Sequence, residues 1–264
     1  DVSRFGNGSD VAVLSGTCGS HGLVELQAAS DVVWQHVSDW NDLLQDQRLR
    51  VHLYVYGHPR GCYVMSVERP VVVGMTGASG AELGRAMVDR LLSISIPVVL
   101  TVSGAARVVW RQEVDESFGV ALERWSDTPG FAYHSAGDIQ APIASGTYPT
   151  LGMVIVPCSM ATIAAVSHGL ADNLVRRAAD VCIKERRPLV VVPRESPLSV
   201  IHLDNMASLA RLGVTVLPPE PAFYLRQSTV DDVIAFVVER VVVALGIEPK
   251  LPADMRYQGS TTDP

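Results

Sequence analysis

Residues 71–84 read VVVGMTGASGAELG: an apolar run, a turn of small residues, and the start of a helix. A turn between a strand and a helix can hold an anion, because the first N–H groups of a helix have no partner within it. Its glycines, Gly77, Gly80 and Gly84, do not follow the G-x-G-x-x-G spacing of dinucleotide sites, and no lysine completes a P-loop. The stretch predicts a strand–turn–helix unit whose turn either binds a ligand or is only a tight connection.

The same alternation of strand and helix continues along the chain. Continuous Val/Ile/Leu runs are typical of strands covered on both faces, and they lie at 71–75, 97–102, 153–157, 189–193 and 214–217. Helical segments lie between and after them, at 81–92, 105–113, 160–168, 173–187, 198–212 and 229–245. Strands that alternate with helices imply right-handed crossovers and a parallel sheet. We therefore predict an α/β fold, a three-layer Rossmann-like open parallel sheet with helices on both faces.

Two regions fit this scheme less well. The connection from Phe118 to Gly152 is long for a βα loop, so we expect a lid or a binding loop there. Before Met65 the chain is rich in Gly and Ser, with a possible amphipathic helix at 31–45 and a possible strand at 49–57. We predict an N-terminal extension or small α+β appendage of uncertain structure at 1–64, and the main domain at 65–264.

Composition narrows the class of protein. The 264 residues are 48% hydrophobic, enough for one well-buried domain, and no apolar run is long enough for a membrane span. The net charge of −7 argues against a general nucleic-acid binder. The 4 cysteines are scattered and no signal peptide is visible. We therefore expect no structural zinc, no disulfide framework and a cytoplasmic location.

The first candidates for a site are the residues at the carboxyl ends of the predicted strands, where open parallel sheets bind ligands. They are Gly77, Ala78 and Ser79 after the first strand, Ser103 after the second, Cys158, Ser159 and Met160 after the third, and Arg194 and Glu195 after the fourth. A serine there can be a plain helix N-cap, and Arg beside Glu a plain ion pair. At the edge of a ligand, arginine instead suits a phosphate and glutamate suits proton transfer. A nucleophilic role for Cys158 is disfavoured, because no partner histidine is evident.

Other charged and aromatic residues lie on the predicted helices and turns. Arg177 and Lys184 are seven residues apart and share a helix face. Glu113 ends a helix, Tyr224 follows a proline-rich turn, and Arg240 lies on the last helix. Exposure to solvent is the ordinary explanation for such residues.

Four longer stretches resemble one family, the UbiX-type flavin prenyltransferases, also described as phenylacrylic-acid-decarboxylase-like flavoproteins. They are GMTGASGAELG (74–84), APIASG (141–146), LPPEPAFY (217–224) and VPCSMATIAAVSHGLADNLVRRAADVCIKERRPLVVVPRESPLSVIHLDNM (156–206). Together they span nearly all of residues 67–248, and the region from 156 to 224 is the most specific. The resemblance implies the flavodoxin-like fold of the HFCD flavoproteins.

The resemblance also implies an activity. Enzymes of this kind join a dimethylallyl group from dimethylallyl monophosphate to reduced FMN at N5 and C6, without a metal. The prenylated FMN is then used by a partner decarboxylase. The enzymes are trimer-based homo-oligomers, commonly dodecamers, whose active sites are shared between subunits.

Site roles follow from the resemblance position by position. The residues implied to bind FMN are Gly77, Ala78, Ser79, Ser103, Ser159, Met160 and Arg177. Those implied to bind the substrate phosphate are Lys184, Arg194, Tyr224 and Arg240. Glu113 and Glu195 are the implied proton-handling pair, with Ser79 near the reacting ring, and the division of roles between the two glutamates stays open.

The chain departs from the family at two places. Ile139 stands approximately where some members carry an aromatic residue able to stabilise an allylic cation. Nothing before Met65 resembles the family, and MSVERPVVVGMTG reads like a natural start, so we expect residues 1–64 to have no catalytic role.

Other functions are also compatible with this fold. An FMN-dependent cysteine decarboxylase resembles the same fold, but its P-A-S-A-N-T segment differs from PIASGT at 142–147. A decarboxylase of phenolic acids and a non-catalytic flavin carrier or accessory subunit are further alternatives. A carrier would need no acid–base pair such as Glu113 and Glu195.

Overall fold

The computed structural model describes residues 52–58, 61–67 and 69–259, and the chain divides into two compact units, residues 1–68 and 69–264. In the first unit, β1 (His52–His58) pairs antiparallel with β2 (Gly61–Val67). The strand predicted at 49–57 overlaps β1, whereas the helix predicted at 31–45 lies outside the described residues. Met65, where we predicted that the main domain begins, lies within β2.

The second unit is built on a six-stranded parallel sheet. Its strands are β3 (Val71–Met75), β4 (Val98–Val102), β5 (Phe131–Ser135), β6 (Gly152–Cys158), β7 (Leu189–Pro193) and β8 (Thr215–Val216). They are ordered β5-β4-β3-β6-β7-β8, and every neighbouring pair is parallel. The order reverses between β3 and β6, and open parallel sheets bind ligands beside such a switch point, at the carboxyl ends of the strands. The predicted fold class is confirmed.

Seven α-helices among residues 69–259 accompany the sheet. They are α1 (Ala81–Ser93), α2 (Gly104–Glu113), α3 (Phe118–Ser126), α4 (Met160–Ser167), α5 (Leu174–Lys184), α6 (Val200–Arg211) and α7 (Val230–Ala244). All but α1 begin after a serine, threonine or asparagine whose side chain accepts a backbone N–H of the first turn. No helix among the described residues is both long and apolar enough to cross a membrane.

The core lies on both faces of the sheet, which explains why the strands are continuous apolar runs. Val71, Val73 and Met75 of β3 pack into one buried cluster with residues of α1, α2 and α7. Val72 packs into a second cluster with residues of β6 and α5. Successive residues of a strand point to opposite faces, so a five-residue strand with all side chains buried must lie between two layers of helices.

The predicted long loop from Phe118 to Gly152 is wrong, because α3 and β5 lie within it. The strand β5 is at the edge of the sheet and its side chains are only partly buried, so it lacks a continuous apolar run. The short helix α3 is held by aromatic side chains. The Trp110 ring meets the rings of Phe118 and Trp125 edge to face, at centroid distances of 5.3 and 5.9 Å.

Candidate active site

Three of the predicted site residues meet at the carboxyl edge of the sheet. Glu113 Oε2 accepts the backbone N–H groups of Gly80, at 2.7 Å, and Ala81, at 2.9 Å, where α1 begins. The Ser79 hydroxyl also hydrogen-bonds to the Glu113 carboxylate. Arg194 Nε donates to the backbone carbonyl of Ser79 at 3.4 Å. We call Ser79, Glu113 and Arg194 the carboxylate cluster.

The carboxylate cluster keeps Glu113 ionised. Partial burial raises the pKa of Glu113, but the hydrogen bonds from Ser79, Ala81 and Gly80 and the positive charge of Arg194 outweigh it. The pKa of Glu113 is therefore lowered from its ordinary value. The turn of small residues does hold an anion at the start of α1, and that anion is a carboxylate of the same chain.

A buried threonine joins the two loops at the switch point. Thr76 Oγ1 donates to the carbonyl of Pro157 at 3.0 Å and accepts the N–H of Ser159 at 2.8 Å. Thr76 follows β3 and is 3% exposed, whereas Pro157 and Ser159 lie at the end of β6. The hydroxyl thus fixes the spacing of the two strand ends between which ligands bind in such sheets. Thr76 is not among the site residues predicted from the sequence.

Replacing Thr76 with valine is expected to destabilise the fold by about 1–3 kcal/mol, because it leaves the half-buried N–H of Ser159 without this partner. The carbonyl of Pro157 keeps the backbone N–H of Thr76 as a donor, at 3.1 Å. Thr101→Val is the matched control: Thr101 is 0% exposed and its hydroxyl has no hydrogen-bond partner among the described residues. The control should change stability little or raise it. Urea unfolding of both variants measures the difference, and equal stabilities would contradict the importance of the Thr76 bridge.

The serines after β4 and β6 are N-caps, as the ordinary explanation expects. Ser103 Oγ accepts the N–H of Ala106 at 3.1 Å, and Ser159 Oγ accepts the N–H of Thr162 at 3.3 Å. An accepting hydroxyl still has its own hydrogen to donate. Ser103 therefore retains the capacity to donate a hydrogen bond to a ligand at this edge of the sheet. Ser159 Oγ also hydrogen-bonds to Thr162 Oγ1 at 3.1 Å, and either hydroxyl can be the donor there.

The turn after β3 passes close to the start of α2. A Cβ on Gly77 would lie only 2.5 Å from the Cβ of Ala105, so position 77 admits no side chain. Ala78 beside it is buried, and Met160, the first residue of α4, is half-buried. The small residues Gly77 and Ala78 therefore line the turn at two of the predicted flavin-binding positions.

Other predicted site residues already have partners within the chain. Arg177 donates from Nε to the carbonyl of Ala144 at 3.0 Å and from Nη1 to Asp180 at 2.6 Å. The Tyr224 hydroxyl donates to the carbonyl of Met255 at 3.4 Å. Glu195 is exposed.

The four residues predicted to bind phosphate do not lie close together within a single chain. Lys184 ends α5, four residues before β7 begins, whereas Arg194 follows the last residue of β7. The five-residue strand between them is about 17 Å long. Lys184 therefore lies toward the amino edge of the sheet, opposite the carboxylate cluster.

Arg240 lies toward the amino edge as well. Its neighbour Glu239 pairs at 2.5 Å with Arg90, which is in the last turn of α1. The helix α1 runs from the carboxyl end of β3 toward the amino end of β4, so its last turn is far from the carboxylate cluster. Tyr224, by contrast, follows the last strand, β8.

Cys158 and Cys182 are free and buried. Burial raises the pKa of the Cys158 thiol, and it raises the pKa of Cys182 to about 12. Both side chains are thiols at neutral pH, which argues against nucleophilic chemistry at Cys158. Residues 69–259 contain no group of His, Cys, Asp and Glu side chains that could hold a metal ion.

Comparison with known proteins shows the family of the chain. The sequence model of the family described as Flavoprotein matches residues 62–242. The flavin prenyltransferase UbiX of Alkalihalophilus pseudofirmus is 43% identical over 190 residues, which are 70% of this chain and 95% of that protein. The chain belongs to the UbiX flavin prenyltransferase family.

Further members of the UbiX family match over a similar span. A probable UbiX-like flavin prenyltransferase of Escherichia coli O157:H7 is 45% identical over 192 residues, which are 72% of this chain and 93% of that protein. The crystal structure of a dodecameric FMN-dependent UbiX-like decarboxylase from the same organism is 44% identical, with a TM-score of 0.66 over 72% of this chain and 100% of that one. AnUbiX (PadA1), in complex with FMN and dimethylallyl pyrophosphate, is 36% identical, with a TM-score of 0.67 over 74% and 100% of the two chains.

Proposed function

We propose that the chain transfers a dimethylallyl group from dimethylallyl monophosphate to reduced FMN. The observation that carries this proposal is the carboxylate cluster: an ionised carboxylate beside an arginine, at the carboxyl edge of the sheet of a UbiX family member. A related structure, AnUbiX, contains FMN together with dimethylallyl pyrophosphate. A flavin carrier without catalysis would gain nothing from an acid–base group at this place.

The proposed flavin site lies between the turn after β3 and the loop after β6. Its residues are Gly77, Ala78, Ser79, Ser103, Ser159, Met160 and Arg177. The absence of a side chain at position 77 lets the turn pack against Ala105 at the start of α2, and the Ser103 hydroxyl can donate a hydrogen bond to a ligand. Reduced FMN supplies the nucleophilic N5 and C6 atoms when it is bound.

The proposed roles of the charged residues follow from the balance of the reaction. Bonds form from the prenyl group to N5 and C6, and its bond to the phosphate oxygen breaks. The double bond of the prenyl group is also consumed and takes up a proton at its middle carbon, while the flavin loses a proton at N5 and another at C6. Glu113, held ionised, accepts a proton from the ring system. Arg194 stabilises the negative charge on the departing phosphate. Glu195, exposed beside Arg194, is the proposed donor of a proton to that phosphate.

We propose that the phosphate site is completed by a second copy of the chain. Lys184 and Arg240 lie toward the opposite edge of the sheet from Arg194, so one chain cannot direct all of them at one phosphate. Apolar side chains on α6 are exposed, with Val200 at 72% and Ile201 at 71%, and such surfaces are typical of interfaces. The related E. coli structure is dodecameric, and we propose a trimer-based homo-oligomer, in the form of a dodecamer, for this chain.

The proposed product is prenylated FMN, which a partner decarboxylase in the cytoplasm would use. Free, buried cysteines suit a reducing compartment. Because AnUbiX was solved with a pyrophosphate, the pyrophosphate donor is a second candidate substrate beside the monophosphate.

The deciding experiment incubates the protein with reduced FMN and either dimethylallyl monophosphate or dimethylallyl pyrophosphate, without oxygen. Mass spectrometry should detect a flavin heavier by one prenyl group. Parallel reactions with a phenylacrylic acid and with a peptide ending in cysteine test decarboxylation, which the name of the E. coli structure suggests. Release of carbon dioxide without any prenylated flavin, from folded protein with FMN bound, would overturn the proposal.

We also propose that residues 1–64 have no catalytic role, because the Flavoprotein match begins only at residue 62. A variant that begins at Met65 should form prenylated FMN at a rate within about twofold of the full chain. The comparison is made at equal concentrations of FMN-loaded protein, after gel filtration has shown the same oligomer. A correctly assembled but inactive truncation would refute this proposal.

A further inference from the structure

Residues 136–150, which we call the strap, lie against α5 and are fixed to it by hydrogen bonds to backbone carbonyls. At the start of the helix, the N–H of Leu174 donates to Ala136 at 2.8 Å. One turn later, Arg177 Nε donates to Ala144 at 3.0 Å. The strap thus follows the helix that carries Arg177 and Lys184, two residues of the proposed site.

Arg187 fixes the far end of the strap. Its Nη2 donates to the carbonyl of Gly146 at 2.5 Å, and its Nη1 donates to the carbonyl of Tyr148 at 2.7 Å and to Thr150 Oγ1 at 3.2 Å. A planar guanidinium with several fixed donors holds its acceptors more rigidly than a single hydrogen bond would. The backbone at Gly146 therefore has little freedom to move.

Gly146 lies directly against the side chains of Lys184 and Glu185. The Lys184 ammonium donates to the Glu185 carboxylate, and a Cβ on Gly146 would overlap both groups. It would also lie 3.0 Å from the carboxyl carbon of Glu185. Gly146 does not have a positive φ, so its backbone conformation does not require glycine. Glycine is needed at this position because the side chains of Lys184 and Glu185 occupy the space that a Cβ would fill.

We propose that Gly146 is a positioning residue for Lys184: by carrying no side chain, it lets the ammonium lie against the strap, ready for the phosphate of the prenyl donor. This inference rests on the proposed function, in which Lys184 binds that phosphate. A lysine ammonium is a point charge on a flexible stem, so its contribution depends on being held in place before the ligand arrives. Glu185 holds it there until the phosphate replaces the carboxylate as its partner.

A methyl group added at position 146 should displace the Lys184 side chain without destabilising the fold. Arg187 holds the strap, whereas Lys184 and Glu185 are exposed and meet the added Cβ with the ends of flexible side chains. An alanine at position 146 should therefore displace the ammonium without unfolding the chain. The expected defect is in phosphate binding, not in stability.

The test compares Gly146→Ala with the matched control Gly137→Ala. Gly137 is in the same strap, has no positive φ, and a Cβ there would meet no described atom within 4 Å. Gly146→Ala is expected to raise the KM for dimethylallyl monophosphate about tenfold. The kcat, the Kd for FMN and the melting temperature should stay close to those of Gly137→Ala. A general structural defect would instead lower kcat and the melting temperature.

Two further measurements keep the inference separate from the proposed function. Calorimetric titration of the FMN-loaded protein with inorganic phosphate should show binding about tenfold weaker in Gly146→Ala, whatever reaction the protein catalyses. In a Lys184→Met background, Gly146→Ala should weaken phosphate binding no further. An unchanged phosphate affinity in folded Gly146→Ala, or an equal loss in the Lys184→Met background, would overturn the inference.

Discussion

Replacing Glu113 with glutamine is expected to slow prenyl transfer by about two to four orders of magnitude, the range for loss of a general base. Glutamine has the same shape, and its amide oxygen can still accept the N–H groups of Gly80 and Ala81. The fold and the binding of FMN should therefore persist while the proton acceptor is lost. Single-turnover formation of prenylated FMN measures the effect on the chemical step.

A control for Glu113→Gln is Glu123→Gln, the same chemical change at an exposed position of α3 that forms no ion pair among the described residues. The control should react at the wild-type rate. The pH dependence provides a second check: because the pKa of Glu113 is lowered, the carboxylate of the wild-type protein stays ionised through neutral pH and is protonated only below the ordinary glutamate range. A Glu113→Gln protein that keeps more than about a tenth of the wild-type rate would show that another group accepts the proton.

The second large effect is expected at Arg194. Arg194→Gln should lower kcat/KM for the prenyl donor by about 10²–10³, the usual result of removing one group that stabilises charge in the transition state. Arg194 is exposed, so the fold should tolerate the change. Arg194→Lys keeps the charge but loses the planar donors, and an intermediate rate is expected.

The pH dependence of the Arg194 variants provides a second test of the role of Arg194. Arg194 lowers the pKa of Glu113 by its charge, so removing it should shift the acid limb of the pH–rate profile to higher pH. A carboxyl group whose pKa is lower in the folded than in the unfolded state stabilises the fold at pH values above its unfolded pKa. The contribution of Glu113 to the free energy of unfolding in that pH range should therefore be smaller in Arg194→Gln. Arg211→Gln, an exposed position at the end of α6 without an ion pair in the described part of the chain, is the control. A control-like rate and pH profile for Arg194→Gln would remove Arg194 from the proposed mechanism.

Most of the fold could be predicted from the sequence because its strands are buried on both faces. The runs at 71–75 and 189–193 match β3 and β7 at both ends, since every residue there is apolar and buried. The edge strand β5 could not be found in this way. Its sequence, FAYHS, is half-buried and mixes polar with apolar residues, so no periodic pattern marks it.

The site was predictable only in part, for a different physical reason. Ser79 and Arg194 follow strands, and parallel strands end at one edge, so their proximity follows from topology. The Thr76 bridge joins residues 81 and 83 positions apart, and Arg187 contacts the strap 41 positions away. Such pairs have no periodicity in the sequence, and only the folded chain brings them together.

The start of α1 has a consequence for the choice of ligand. Glu113 is part of the same chain as the N–H groups that it accepts, so its effective concentration there is about millimolar or higher before any ligand arrives. A dissolved phosphate ester would have to displace an anion that cannot diffuse away. The N-terminus of α1, which would hold a phosphate in a nucleotide-binding fold, is here occupied by Glu113. The proposed recognition of phosphates therefore falls to arginine, lysine and tyrosine side chains elsewhere.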